Sequence, residues 1–187
     1  MKKLLYFTKG TLLLLALGLT LVGCSNEPLL DSQEASLKTS VSEKSEANQS
    51  NRLHFNASLN GKNEVPEVDT KAVGEAIVTI SKDETSIHFK LIVANIKENI
   101  TGSHFHMAPA GANAGVVVNL LNISDFPPPT TAPVNGILAE GTIVQSNLSG
   151  ALSGKPLGDL ISAIRAGNIY VNVHTTAHGS GEIRGQL

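Results

Sequence analysis

The chain of 187 residues has one cysteine, no tryptophan and few other aromatic residues, five phenylalanines and two tyrosines. A single cysteine excludes an internal disulfide framework and any cysteine-rich zinc or iron–sulfur site. There is no basic excess: 14 Lys and Arg face 16 Asp and Glu, net −2. The electrostatic footprint of a nucleic-acid binder is therefore missing. At 41% hydrophobic and 16% charged, the composition fits neither a disordered acidic chain nor a multi-span membrane protein. No G-x-S-x-G elbow presents a serine nucleophile. No glycine-rich loop precedes a helix, because Gly111–Gly115 runs into a valine-rich, strand-like stretch and reads as a turn. The length suits one domain with an additional segment.

The additional segment is at the start. Lys2, Lys3 and Lys9 precede an uncharged, leucine-rich stretch from Thr11 to Gly23. Its 13 residues are too few to span about 30 Å of hydrocarbon as a helix rising about 1.5 Å per residue. A basic start and a short apolar core is the layout of an export signal. The stretch ends Leu21-Val22-Gly23-Cys24, which resembles the bacterial lipobox. That resemblance implies removal of residues 1–23 and lipidation of Cys24, with two or three acyl chains holding the protein at a membrane. Ser25 next to the cysteine is compatible with a plasma-membrane or an outer-membrane destination, facing the extracytoplasmic side. Without residues 1–23 the chain keeps 11 basic and 16 acidic residues, net −5. Residues 24–50 read as a tether: seven serines, five acids and two lysines cannot bury enough apolar surface to offset ordering entropy.

Residues 51–187 are expected to fold as one all-β domain. Leu53, Phe55, Ala57 and Leu59 alternate with polar residues. So do Gly74, Ala76, Val78 and Ile80; Ile87, Phe89, Leu91 and Val93; and Ile169, Val171 and Val173. Gly115–Leu121, Ile137–Val144 and Glu182–Leu187 are further strand candidates. Seven or eight short strands separated by turn residues predict an antiparallel sandwich or barrel. One segment breaks the period of two. Leu157, Leu160, Ile161 and Ile164, between Pro156 and Gly167, predict a short helix near 157–166. The stretch Phe126–Pro133 carries four prolines and reads as a stiff surface connection.

Three stretches resemble one family. Leu59-Asn-Gly-Lys-Asn-Glu-Val-Pro66 is similar to the opening of the CHRD (chordin) domain. His104-Phe-His106, with Gly111 and the valines from Val116, is similar to its centre, and Gly167–Thr175 with Gly181–Leu187 to its ending. The family takes its name from repeated domains in an extracellular binder of bone morphogenetic proteins, and its bacterial members are exported single domains. The resemblance implies an antiparallel Greek-key β-sandwich, immunoglobulin-like or superoxide-dismutase-like, and supplies no activity.

Six histidines are present. In a strand, positions i and i+2 share a face, so His104 and His106 can converge while Phe105 points into the core. His174 ends another strand, and His178 follows four residues on. If the two strands lie side by side, three or four imidazoles meet, a nitrogen set suited to Cu or Zn. The order also resembles the copper site of Cu/Zn superoxide dismutases, which makes His104, His106 and His174 the ligands by analogy and Arg184 a guiding cation. A bridging histidine, the zinc loop and the disulfide cysteines are absent, so dismutase activity is not expected. The alternative is structural: histidines, Arg184 and Glu182 tie strands together as a polar network. His54 and His88 read as surface residues, and Glu64 and Glu67, flanking Val65-Pro66, as acids of a turn. The expectation is a lipid-anchored, extracytoplasmic binding module for an envelope protein or glycan, with no catalytic set. A copper- or zinc-binding protein is the alternative.

Overall fold

The computed structural model describes residues 51–121 and 133–187. The lipobox-like segment, Cys24, the tether and most of the proline-rich stretch lie outside the described residues. Eight strands occur in the order β1 (His54–Asn60), β2 (Val73–Ile80), β3 (Ile87–Ile96), β4 (Ile100–Met107), β5 (Val116–Asn119), β6 (Val134–Ile143), β7 (Ile169–Thr175) and β8 (Ile183–Gln186). Among the described residues one α-helix, α1 (Leu157–Arg165), precedes β7. The expected all-β fold with one short helix is what forms.

All pairings are antiparallel, and the strands form one sheet in the order β5-β4-β7-β8-β1-β2-β3-β6. The last strand returns beside the first, so β8-β1-β2-β3 has Greek-key order. Two four-stranded halves join at a seam where β1 and β8 share a single residue pair, Asn60 with Arg184. The sheet curls at this seam, and both halves contribute to one core. The result is sandwich-like, with hydrogen bonding continuous around one edge.

The alternation in sequence explains the packing. In β1, Phe55, Ala57 and Leu59 are buried while His54, Asn56 and Ser58 face solvent. Across the core, Phe105 of β4, Val171 and Val173 of β7 and Ile183 of β8 are fully buried. α1 places Leu157, Leu160, Ile161 and Ile164 on one buried stripe, as their i, i+3, i+4, i+7 spacing requires. Asp159 in its first turn and Arg165 in its last suit the helix dipole.

The two halves differ on their outer faces. β2, β3 and β6 present theirs to solvent, as in the ladder of exposed His54, half-buried Thr79, and exposed His88 and Thr142, in register across four strands. Five of the seven residues of β7 are buried in an unbroken run, so both of its faces are covered. One face is the apolar core. The other carries Tyr170, Asn172 and His174, and two loop segments roof it, 61–68 and 108–115.

Candidate functional site

The register across β4, β7 and β8 assembles the polar face. Gly102 lies opposite His174, His104 opposite Asn172, and His106 opposite Tyr170. On the next strand Arg184 lies opposite Asn172, and Gln186 opposite Tyr170. Directly paired residues share a face, so three histidines, an asparagine, a tyrosine and an arginine become neighbours.

His104, His106 and His174 form the inner group. Their candidate ligand nitrogens all lie within 4.8 Å of one another. Ring centroids are 4.8 Å apart for His104 and His174 and 5.6 Å for His104 and His106. His106 is held on both sides: its Nδ1 is 2.9 Å from the Ala114 carbonyl and its Nε2 3.0 Å from the Asn172 side chain. It also stacks on Tyr170 at 4.7 Å, with 5° between the planes. His174 Nδ1 is 3.0 Å from the Gly179 carbonyl. His104 Nδ1 and His174 Nε2 are buried without a hydrogen-bond partner. Gly102 makes room, since a Cβ there would stand 2.9 Å from Cε1 of His104.

Burial, with the neighbouring His174 and His106, holds the His104 imidazole down to about 4. Burial also lowers His106 and His174, and their carbonyl bonds offset part of that shift. Burial thus disfavours the charged form of all three rings.

His178 is not brought into this group. The chain reverses there: the His178 carbonyl accepts from Thr175 and Gly181, and its amide donates to Thr175. Its side chain borders a separate depression with Asp69 and Glu182. His54 and His88 are exposed on the opposite half-sheet and meet Thr79 and Thr142.

Arg184 organises the second group. It is only 2% exposed, which leaves it no role as a cation displayed to solvent. Its guanidinium lies 3.4 Å from the centroid of the Tyr170 ring. It donates to Asn113 Oδ1 at 3.0 Å and to the Ala112 carbonyl at 2.8 Å. Arg184 thus fixes the 108–115 roof, and Asn113 in turn donates to the Val65 carbonyl of the other roof segment. Glu182 accepts a 2.7 Å bond from Thr70. Glu182 is not the partner of His106 or His174, whose ring nitrogens meet carbonyls and Asn172.

Sequence reasoning missed Glu64, taken as a turn acid. It is 5% exposed, and its Oε1 has no hydrogen-bond partner. Burial pushes its carboxyl up to about 7, against the pull of Arg184. Gly181, at φ +131°, packs against Glu64 so closely that any Cβ would collide with its carboxylate. Tyr170 and Asn172 were missed as well. Their signal was the shared strand parity with His174.

Glu64, Arg184, Lys62, Glu67, Ala110 and Gln186 border a cleft of about 510 Å³. Its walls come from Lys62–Glu67, from Ala110 and Gly111, and from Arg184 and Gln186, segments far apart in sequence that meet near the β1–β8 seam.

No curated protein and no solved structure matches the chain. A family model described as the CHRD domain matches residues 55–187, from the first core residue of β1 to the last residue of the chain. That span includes every element placing the imidazoles, Arg184 and the cleft, and it establishes that the chain belongs to the CHRD-domain family.

Proposed function

We propose that this chain is a lipid-anchored, extracytoplasmic CHRD-domain binding module of the cell envelope, with Cys24 as the lipidated residue and 24–50 as the tether. The observation that carries the reading is the cleft at the β1–β8 seam, where two family-like stretches meet. It is concave, lined by both charge signs, and backed by a rigid Arg184–Tyr170–Asn113 network. Such a surface suits a polar ligand, a glycan or a protein segment, more than an apolar one.

Two measurements on the full chain in a bacterial host test the reading. Labelled palmitate is expected in the envelope-bound protein, and Cys24→Ala is expected to lose the label and leave the membrane fraction. Label retained in that variant would remove the anchor. Purified protein is expected to bind isolated envelopes saturably, with Lys62→Glu/Glu67→Lys weakening it at least tenfold. Binding that never saturates would remove the module.

A further inference from the structure

Two of the three imidazoles are held by the main chain. His106 and His174 each present Nδ1 to a main-chain carbonyl, Ala114 at 2.9 Å and Gly179 at 3.0 Å. A carbonyl can only accept, so each ring carries a proton on Nδ1, and in His174 the Nε2 lone pair is free to bind. His106 Nε2 lies 3.0 Å from Asn172 Oδ1, whose Nδ2 donates to the Ser180 carbonyl, so acceptors hold this ring on both sides. Fixing a histidine through one nitrogen onto a backbone carbonyl is the support that metal-ligating histidines receive.

The remaining nitrogens make the same point. His174 Nε2 and His104 Nδ1 are buried and without a partner, although nearly all buried polar atoms in folded proteins find one. Both lie in a group whose candidate ligand atoms are within 4.8 Å of one another. Two buried ring nitrogens without partners have lost hydration with nothing in return, and a shared cation removes that cost. His104 and His174 are only half-buried, so an ion can enter without unfolding the domain.

We propose that His104, His106 and His174 form a binding site for one copper or zinc ion. The donor set decides the class of metal. No thiol or carboxylate belongs to the group, and an all-imidazole set suits Cu or Zn, not Mg or Ca. Three protein donors leave a fourth position for water or a small anion, as in zinc sites that keep a place open. Nitrogens up to 4.8 Å apart must draw together on metal–nitrogen bonds of about 2 Å. The Asn172 contact to His106 gives way in that closure. The site is independent of the anchor and of whatever occupies the cleft.

The test uses the full chain in detergent, stripped with chelator, with Cys24→Ser in parallel to exclude thiol binding. Titration with Zn(II) and with Cu(II) by calorimetry is expected to give one ion per chain and a dissociation constant below about 1 μM. Cu(II) loading is expected to give an electron paramagnetic resonance spectrum with nitrogen hyperfine splitting. His104→Gln and His174→Gln are each expected to weaken binding at least 100-fold with an unchanged circular dichroism spectrum. His178→Gln and His88→Gln should leave it unchanged. No binding tighter than micromolar by the folded wild-type chain overturns the site. So does undiminished affinity in the folded double variant His104→Gln/His106→Gln, which would move any bound ion elsewhere.

Discussion

Two polar groups share the roofed face of β4, β7 and β8, and they are satisfied to different degrees. Arg184 donates to Asn113 and to the Ala112 carbonyl and stacks on Tyr170. The three imidazoles, one and two strands away, leave two buried nitrogens without partners. A buried cation with its bonds filled is a clamp, costly to remove because its acceptors stay behind. A buried group with bonds unfilled contributes little to the apo fold, and its arrangement makes sense for a ligand. The contrast separates structural from ligand-binding use on the same face, which composition and spacing leave open.

The largest expected effect breaks the clamp. Arg184→Ala orphans the Ala112 carbonyl and Asn113 and removes the cation facing Glu64. It is expected to cost about 3–5 kcal/mol in denaturant unfolding. A loss under 1 kcal/mol would mean that the roof stands without it. Next, Gly181→Ala drives a Cβ into the Glu64 carboxylate at a backbone angle only glycine adopts freely, with an expected loss of about 2–3 kcal/mol.

The pH dependence of stability separates the two groups by sign. Glu64 has its carboxyl raised from 4.5 to about 7 in the fold. Its contribution is fully present below pH 4.5 and is lost as pH rises through 7. His104 is lowered from 6.5 to about 4, and His106 and His174 are lowered too. Their contribution is present above pH 6.5 and is lost as pH falls toward 4. Urea midpoints against pH are expected to show a dome. Glu64→Gln should flatten its alkaline arm by on the order of 2 kcal/mol, and His104→Leu should reduce the acid arm. An alkaline arm unchanged in Glu64→Gln would place the titrating group elsewhere.

The smaller effects sharpen the contrast. His104→Leu replaces an unsatisfied ring with an apolar side chain and is expected to fall within about 1 kcal/mol of the parent at pH 7 without metal. A loss matching that of Arg184→Ala would make the imidazoles a second clamp. His54→Ala and His88→Ala, on exposed strand faces, should change stability by no more than about 0.5 kcal/mol.

What the sequence made legible follows from range of interaction. β1, β2, β3 and β7 could be read from alternation, and α1 from its apolar stripe, because each buries a face set by local parity. β4 is harder: Thr101-Gly102-Ser103 breaks the apolar alternation, since both faces of this strand are covered. His104, His106 and His174 could be related by parity and strand ends, but His178 could not be placed, because the turn after β7 uses its backbone. Glu64 looked like a turn acid, since its burial depends on Arg184 and Gly181, more than a hundred residues away. A seam of one residue pair, Asn60 with Arg184, leaves no periodic trace.

The most direct measurement of the contrast is the protonation state of the three rings by long-range proton–nitrogen NMR at pH 7, before and after one equivalent of Zn(II). Nδ1–H is expected for both His106 and His174, with the Nε2 resonances of both moving on zinc addition while the Arg184 guanidinium stays put. Nε2–H tautomers for these two rings, or zinc leaving all three unchanged, would contradict the account.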